Sequence, residues 1–457
     1  MFSHAPRRHP VARRHSTFAV ALAVGAVVSA VAMLGPVQVG AATTTQKPSA
    51  TEVGVTATEI HIAVIADVDN PIIPGLFQGA VDGVRGAAAY LNSKAGGGGV
   101  AGRKLVVDFI DSKLNGNATR NATIVACGQD LAMVGTSATG LNSVDDMVNC
   151  KDQAGAVTGL PDVPAISGAV EGCAPVAYPL NPNVTVCSTI TQTPQTYQTN
   201  QGAFTYLAKH HKNLHGVFVG TNDTKAGSVT GQVLIHAATG AGIKADATMA
   251  LSALAPQSAY TPVIEQMKQS GSNLEYSIGA VGGMISVRSE AQLQGLTDPN
   301  IVWVCTAACY DKALHEQADV MNGTYIPLQY LPFEEAKHNA TLANFVKYVG
   351  ASKVNGFAAY GWGATLAFAD AVQAAVTKHG INGLTRAAVF EGLGTLTAFD
   401  AGGMFGRVDI AHHKVGPCTL LTQFENDKFV RVWPAKPASF DCTPANAVSF
   451  TADYQNG

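Results

Sequence analysis

The sequence predicts a mixed α/β fold arranged as two Rossmann-like lobes. Strand patterns and helix patterns alternate along most of the chain, and the alternation occurs as two successive series. The strand segment Leu105–Ile110 is almost wholly apolar, which is typical of a parallel strand covered on both faces. With 47 % hydrophobic and only 13 % charged residues, the chain has enough apolar material for two lobes of ordinary domain size.

The first unit reads as strand, helix and strand. The strand is Ile60–Ala66, and a helix is expected to begin near Gly75, because its apolar residues recur at intervals of three and four: Val81, Val84, Ala88 and Leu91. Gly96–Gly99 end this helix, since glycines readily adopt positive φ. The second strand, Leu105–Ile110, is followed by Asp111.

The later elements continue the same alternation. The rest of the first series comprises helices at 117–129 and 141–150 and strands at 131–135 and 163–167. The second series comprises strands at 214–220, 247–251, 274–278 and 301–305 and helices at 227–239, 260–271 and 283–294. Helices at 339–349 and 357–379 follow, and strands at 419–424 and 429–433 form a hairpin around the turn 425–428.

A glycine cluster, a Gly-Arg-Lys sequence and a strand ending in Asp occur together between Leu91 and Asp111. This arrangement resembles the amino-terminal segment of the leucine/isoleucine/valine-binding family of periplasmic solute-binding proteins. The resemblance implies the type I periplasmic-binding fold, with three crossover segments between the lobes. It further implies capture of an amino acid or related small polar solute by hinge closure, and delivery to the permease and ATPase subunits of an ABC importer.

On this basis we expect the first lobe at 59–190 and 326–405 and the second at 191–325 and 406–457. The family pattern places the late helices in the first lobe and the closing hairpin in the second. The region 188–202, rich in Thr and Gln, is interpreted as the first crossing. We expect a monomer without catalytic activity or cofactor. A ligand-sensing receptor of the same fold, without a transport role, is the alternative.

The first residues are typical of an export signal. Arg7, Arg8, Arg13 and Arg14 precede an apolar stretch over 18–34, and small residues around Val39–Ala41 offer a cleavage site, so 1–41 is interpreted as a signal peptide. A retained membrane anchor is the competing interpretation. The first cysteine is Cys127, so we expect a periplasmic or extracellular protein that is not a lipoprotein, while the export route stays open.

Cleavage would remove four arginines and no acids, which takes the net charge from −3 to −7. An acidic chain of this kind is a poor partner for nucleic acid. Residues 42–58 are polar and are expected to form a flexible leader.

The eight cysteines fall into neighbouring pairs, which suits disulfides in an oxidising compartment. The neighbouring pairs are Cys127 with Cys150, Cys173 with Cys187, Cys305 with Cys309, and Cys418 with Cys442. Eight cysteines allow 105 connectivities, so this pairing is an inference; the resemblance implies a bridge near Cys127 and Cys150. A metal site of Cys305, Cys309 and His315 is the alternative.

Candidate ligand contacts in the first lobe lie after its strands, where ligands bind in open parallel sheets. Asp67 follows the first strand, and Thr136, Ser137 and Thr139 follow the strand at 131–135. Hydroxyls and free backbone amides there would attract a carboxylate. The competing interpretation is that Ser137 or Thr139 caps the next helix.

Ser167, Gly168, Ala169 and Glu171 occupy the next strand end. The resemblance implies a threonine where Glu171 stands. Because a carboxylate would repel an amino acid's own carboxylate, either Glu171 points away or the ligand differs at this end.

The second lobe offers a corresponding set of candidates. They are Asn222, Asp223, Lys225, Gly279, Val281, Thr306 and Tyr310, with Tyr360 at a helix start. The resemblance implies an acid that binds an α-ammonium group where the segment beginning at Thr306 stands here. It also implies aromatic cleft residues where Lys225 and Val281 stand. Each candidate also has a structural or solvated interpretation.

Motifs for catalysis are missing from the sequence. It contains no Gly-x-Ser-x-Gly elbow, phosphate-binding loop or His-Glu-x-x-His motif. A hydrolase built on Ser137 and Glu171 is a remaining alternative. His210, His211 and His215 lie among lysines, and His412 and His413 lie in a late loop, so both groups are interpreted as solvated rather than metal-binding.

Overall fold

The computed structural model describes residues 46–454 apart from 71, 72, 142, 183, 224 and 280. The predicted signal peptide over 1–41 lies outside the described residues. Over the described ranges, no helix combines the length and apolar character needed to span a membrane.

The first sheet has four parallel strands in the order β2-β1-β3-β4. They are β1 (Glu59–Ala66), β2 (Lys104–Asp111), β3 (Ala132–Val134) and β4 (Asp162–Val163). The helices between and after them are α1 (Gln78–Asn92), α2 (Gly116–Gln129), α3 (Asp145–Val148) and α4 (Ala169–Gly172). Strand β1 is buried along most of its length, as its apolar sequence predicts.

A two-stranded antiparallel sheet joins the segment 188–202, which was interpreted as the first crossing, to the end of the described chain. Strand β5 (Gln195–Asn200) pairs with the final strand, Ala447–Ala452. Neither strand was expected from the sequence, because Thr- and Gln-rich segments lack a clear apolar pattern and the two partners are far apart in the chain.

The second sheet begins with β6 (His215–Thr221), β7 (Lys244–Leu251), β8 (Leu274–Ser277), β9 (Val302–Cys305) and β10 (Thr324–Leu328). The hairpin strands β11 (Leu420–Glu425) and β12 (Lys428–Trp433) complete this sheet, whose strand order is β12-β11-β10-β9-β8-β6-β7. The final strand, Ala447–Ala452, which pairs with β5, is β13. Helices α5 (Gly202–His210), α6 (Lys225–Gly240), α7 (Thr261–Ser270), α8 (Val281–Leu293) and α9 (Ala318–Met321) accompany this sheet. Two α/β lobes are therefore confirmed, and the closing hairpin belongs to the second sheet.

Three late helices return to the first lobe: α10 (Ala340–Val349), α11 (Gly356–His379) and α12 (Arg386–Leu393). The backbones of helices α11 and α1 are in van der Waals contact. A Cβ added at Gly361 would lie 2.2 Å from the Ala80 carbonyl oxygen. The small residues of α11 thus permit an approach that larger side chains would prevent. The predicted lobe limits stay predictions.

Two predicted helix boundaries were wrong. Helix α1 begins at Gln78 because Gly75 adopts φ +80° and forms a turn before the helix. The helix expected over 141–150 is reduced to α3, which ends before Asn149, whose side-chain amide donates to the Asp145 carbonyl.

The expectation of a flexible leader over 42–58 is wrong for residues 46–58, while 42–45 lie outside the described residues. Residues 46–58 pack onto the first lobe: the Thr51 hydroxyl donates to the Leu384 carbonyl at 2.6 Å, and Glu52 is buried. The Glu52 carboxylate accepts from the backbone amides of Gln153 and Arg386. Such contacts cannot be read from a polar local sequence, because their partners are hundreds of residues away.

All four predicted disulfides are present. The bonds join Cys127 to Cys150, Cys173 to Cys187, Cys305 to Cys309 and Cys418 to Cys442. The alternative metal site does not form, because the sulfurs of Cys305 and Cys309 are bonded to each other and His315 Nδ1 lies 2.7 Å from Asp427 Oδ1.

Candidate functional site

Asp67 links three strand ends of the first lobe. Its Oδ1 accepts from the Ser112 hydroxyl at 2.6 Å and the Leu114 amide at 2.9 Å. Its Oδ2 accepts from the backbone amide and the hydroxyl of Thr139, at 2.8 and 2.9 Å. Asp67 is fully buried, and its carboxylate holds the loops after β1, β2 and β3 together; its contact with a ligand stays a prediction.

Thr136 and Ser137 extend the sheet rather than offering free amides. The Ser137 amide donates to the Ile65 carbonyl at 2.8 Å, and the Thr136 carbonyl accepts from two amides of the next strand end. The capping interpretation is wrong, because α3 begins eight residues after Ser137 without a side-chain cap; the ligand contacts of Thr136, Ser137 and Thr139 stay predictions. The Thr136 hydroxyl is buried and donates to Asp162 Oδ1 at 2.7 Å.

The following strand end leads from Ser167 and Gly168 into α4, which begins at Ala169. The Ser167 hydroxyl oxygen is buried, and it has no hydrogen-bond partner among the residues described. It is therefore a polar group at the strand end that can accept or donate a further bond.

Glu171 turns inward and faces the carboxyl group of Asp162 and the backbone amide of Gly168. Asp162 and Glu171 are 0 % and 1 % exposed. Burial raises the pKa of Asp162 to about 7, and burial followed by the nearby Asp162 charge raises the pKa of Glu171 well above its usual value. Two buried acids so close together hold at least one proton at neutral pH.

Asp162 was missed at the sequence level. It lies directly before the strand expected at 163–167, and in the structure it is the first residue of β4. An acid inside an otherwise apolar strand was the available signal, because a buried carboxyl group requires a specific partner.

The second lobe places Asn222, Asp223 and Lys225 between β6 and α6. The Asp223 carboxylate accepts from the Ser252 hydroxyl and the Ala253 amide, both at 2.6 Å, and these bonds lower its pKa. The Asn222 amide donates to the Leu251 carbonyl at 3.2 Å. Asn222, Asp223 and Lys225 are exposed, and Lys225 begins α6.

Gly279, Val281 and Thr306 also come together at strand ends. The Thr306 hydroxyl donates to the Gly279 carbonyl at 3.1 Å, which joins the loops after β8 and β9. Val281 begins α8 and is half-buried.

Tyr310 and Tyr360 are core residues rather than exposed cleft residues. Tyr310 is 3 % exposed; its hydroxyl donates to Glu334 and accepts from the Phe333 amide. Tyr360 packs edge-on against Tyr330, with ring centroids 5.7 Å apart. Aromatic packing across the fold explains both placements, which a helix start or a strand end alone does not reveal.

Two cavities that include candidate residues in their lining are small. One touches Gly279, and another is lined in part by Tyr360; each has a volume of about 20 Å³. A volume of that size holds about one water molecule. A larger cavity of about 660 Å³ lies at the opposite, amino-terminal ends of β8 and β9, and His210, His211 and Arg288 are among its lining residues.

Comparisons with known proteins agree with this architecture. The family model described as periplasmic binding protein matches residues 59–428. An ABC transporter substrate-binding protein from Sphaerobacter thermophilus has a TM-score of 0.63 at 15 % identity, with coverage of 84 % of this chain and 99 % of that one. No curated protein matches the chain.

Two further solved structures share the fold. A fatty acid ABC transporter substrate-binding protein from Thermomonospora curvata has a TM-score of 0.62 at 12 % identity and covers 86 % of this chain and 98 % of its own. A leucine-binding protein from Thermotoga maritima has a TM-score of 0.58 at 17 % identity, with coverage of 82 % and 97 %. The chain therefore belongs to the periplasmic binding protein family, whose members are exported solute-binding proteins and not enzymes.

Proposed function

We propose that this protein is the extracytoplasmic receptor of an ABC importer and captures an amino acid or a related small polar solute between its lobes. The observation that carries the proposal is the family match over residues 59–428, which covers the first sheet and the second sheet up to the start of β12. Solved structures of the same fold include a leucine-binding protein and an ABC transporter substrate-binding protein in complex with Leu from Desulfitobacterium hafniense. The permease and ATPase subunits of the importer are its proposed partners.

Glu171 does not oppose an amino-acid ligand under this proposal. Its side chain is buried against Asp162, and its raised pKa favours the neutral acid. A neutral carboxylic acid does not repel the carboxylate of a solute, whereas an ionised one does. The Ser167 hydroxyl then supplies a hydrogen-bonding group at the same strand end.

Asp223 is the proposed counter-charge for an ammonium group. It is the one acid among the candidate contacts of the second lobe, and its lowered pKa keeps it ionised at neutral pH. This role replaces the acid that branched-chain amino-acid receptors carry where Thr306 stands here.

Binding requires movement of the lobes or of the strand-end loops. The two cavities lined in part by Gly279 and by Tyr360 hold about one water molecule each, which is too little for an amino acid. We propose that the lobes close by hinge motion and that the bound solute stabilises the closed form.

Thermal unfolding with a panel of solutes tests the proposal. The panel contains leucine, isoleucine, valine, aliphatic amides, fatty acids and polyols, each at up to millimolar concentration. A ligand at a hundred times its dissociation constant stabilises by about 2.7 kcal/mol. A raised melting temperature with amino acids or amides supports the proposal; a shift with fatty acids alone, or with no solute, contradicts it.

Two serine-to-alanine substitutions, one at the proposed site and one elsewhere, provide a test and its matched control. Ser167→Ala removes a hydroxyl that has no partner within the described chain, so its melting temperature without solute should stay close to that of the wild type. The solute-induced shift should decrease. Ser289→Ala, a change within α8, should keep the full solute-induced shift.

A further inference from the structure

Three side chains of metal-ligand type meet on the first lobe, away from the strand ends that carry the solute candidates. They are His61 of β1, Asp108 of β2 and Asp130 after α2, and their ligand atoms all lie within 4.8 Å of one another. His61 Nδ1 is 2.8 Å from Asp108 Oδ2. The ligands of a tetrahedral zinc ion are roughly 3.3 Å apart, so one nitrogen and two oxygens would move closer together on binding an ion.

The backbone explains why these residues converge. In the parallel register, His61 pairs with Val106 and Ala63 pairs with Asp108, so His61 and Asp108 project from the same sheet face. Helix α2 covers that face and ends at Gln129, so that Asp130 is the residue directly after it. The Leu131 amide donates to the His61 carbonyl at 3.0 Å, which fixes the end of α2 beside His61.

The Asp130 carboxyl group lies against the Asp108 carboxyl group, and Arg386 is the positive charge near it. Asp130 is 1 % exposed, and neither of its carboxyl oxygens has a hydrogen-bond donor among the described residues. A carboxylate is disfavoured at the carboxyl end of a helix, because the helix dipole is negative there. The Arg386 guanidinium does not bond to the carboxylate; it donates to the Asp130 backbone carbonyl at 2.7 Å.

We propose that His61, Asp108 and Asp130 form a binding site for a divalent transition-metal ion of the Zn²⁺ class. An imidazole nitrogen with two carboxylates suits such ions. The second ring nitrogen, His61 Nε2, lies 3.6 Å from Glu59 Oε2, the position of an outer carboxylate that orients a ligating histidine. The His61 and Asp108 side chains are 30 % and 42 % exposed, so an ion can enter from solvent, and water can complete the coordination.

The second lobe contains a natural contrast. His215 of β6 also contacts an acid of the neighbouring strand, Asp246. There, Lys244 Nζ lies 3.1 Å from Asp246 Oδ1, so a cation of the chain already pairs with the acid. A His-Asp pair without a third acid should not hold the ion.

The experiment measures Zn²⁺ binding by isothermal titration on the full chain, purified without a histidine tag after treatment with chelator. Co²⁺ replaces Zn²⁺ in a second titration, because its visible absorption reports nitrogen and oxygen ligands in a tetrahedral site. We compare the wild type with His61→Gln, Asp130→Asn and the control His215→Gln. Circular dichroism and the melting temperature of each variant without metal verify that it folds.

We expect one Zn²⁺ per chain and a melting temperature that rises with Zn²⁺ and returns with chelator. His61→Gln and Asp130→Asn should each weaken binding at least about tenfold, while His215→Gln binds as the wild type does. Absence of stoichiometric binding overturns the proposal. So does Zn²⁺ binding that survives in folded His61→Gln and Asp130→Asn, because the ion then binds elsewhere.

Discussion

The carboxyl groups of Asp162 and Glu171 are buried against each other where the first sheet meets α4. Asp162 Oδ1 accepts from the Thr136 hydroxyl, so one acid is anchored to the sheet while the other comes from α4. The pair therefore connects two segments that carry proposed solute contacts, and its protonation affects stability.

We predict that the free energy of unfolding falls as the pH rises from about 5 to about 8. Both acids have a raised pKa in the folded protein, that of Asp162 being about 7, so the folded state holds protons that the unfolded chain releases. The pair's contribution is complete below the unfolded pKa values and is lost as the pH passes the folded ones. Glu171→Gln should flatten this dependence and stabilise by about 1–3 kcal/mol at pH 8.

Urea unfolding at pH 5, 6, 7 and 8 measures this effect. Glu265→Gln, which changes an exposed acid on α7, is the control and should keep the wild-type slope. An unchanged slope in Glu171→Gln would show that the acid pair does not share a proton.

Asp67→Asn should destabilise the protein by about 2–4 kcal/mol in the absence of any solute. The substitution places an amide donor where the carboxylate now accepts from Ser112, Leu114 and Thr139. Chemical denaturation provides the measurement. Asp69→Asn, an exposed position two residues later, should change stability by no more than about 0.5 kcal/mol; equal effects of the two substitutions would refute the anchoring role.

Arg386→Gln should destabilise by about 3–5 kcal/mol. The buried guanidinium donates to the carbonyls of Cys127, Asp130 and Lys151, which surround the first disulfide. Losing it leaves these carbonyls without their donor. Arg120→Gln removes an exposed ion pair with Asp146 on the same lobe and should leave the melting temperature nearly unchanged.

Gly361→Ala should destabilise by about 1–3 kcal/mol, because α1 and α11 must separate to admit the methyl group. Gly282→Ala adds a methyl group in α8 with no atom within 4 Å, so it should be neutral or stabilising by up to about 1 kcal/mol. Thermal unfolding of the two variants side by side distinguishes close backbone packing from a general intolerance of alanine. Equal melting temperatures would contradict the packing argument.

Much of the fold could be predicted from the sequence. For the candidate site, the sequence predicted where the residues lie but not what their side chains contact. The strand ends after β1, β3 and β6 carry the candidate polar groups, as the alternation of elements indicated. Their roles were less predictable: Asp67 binds backbone amides and hydroxyls, and Tyr310 packs in an aromatic core. A side chain's orientation depends on neighbours that the local sequence does not contain.

The sequence by itself determined the two α/β series, the closing hairpin and the four neighbouring cysteine pairs. Periodicity, glycine stops and turn residues act over a few neighbouring positions, so they can be read along the chain. Only the tertiary structure decided the pairing of β5 with β13, the burial of Glu171 against Asp162 and the convergence of His61 with Asp130. These relationships join residues from separate elements, and their geometry follows from sheet register and helix packing rather than from local propensity.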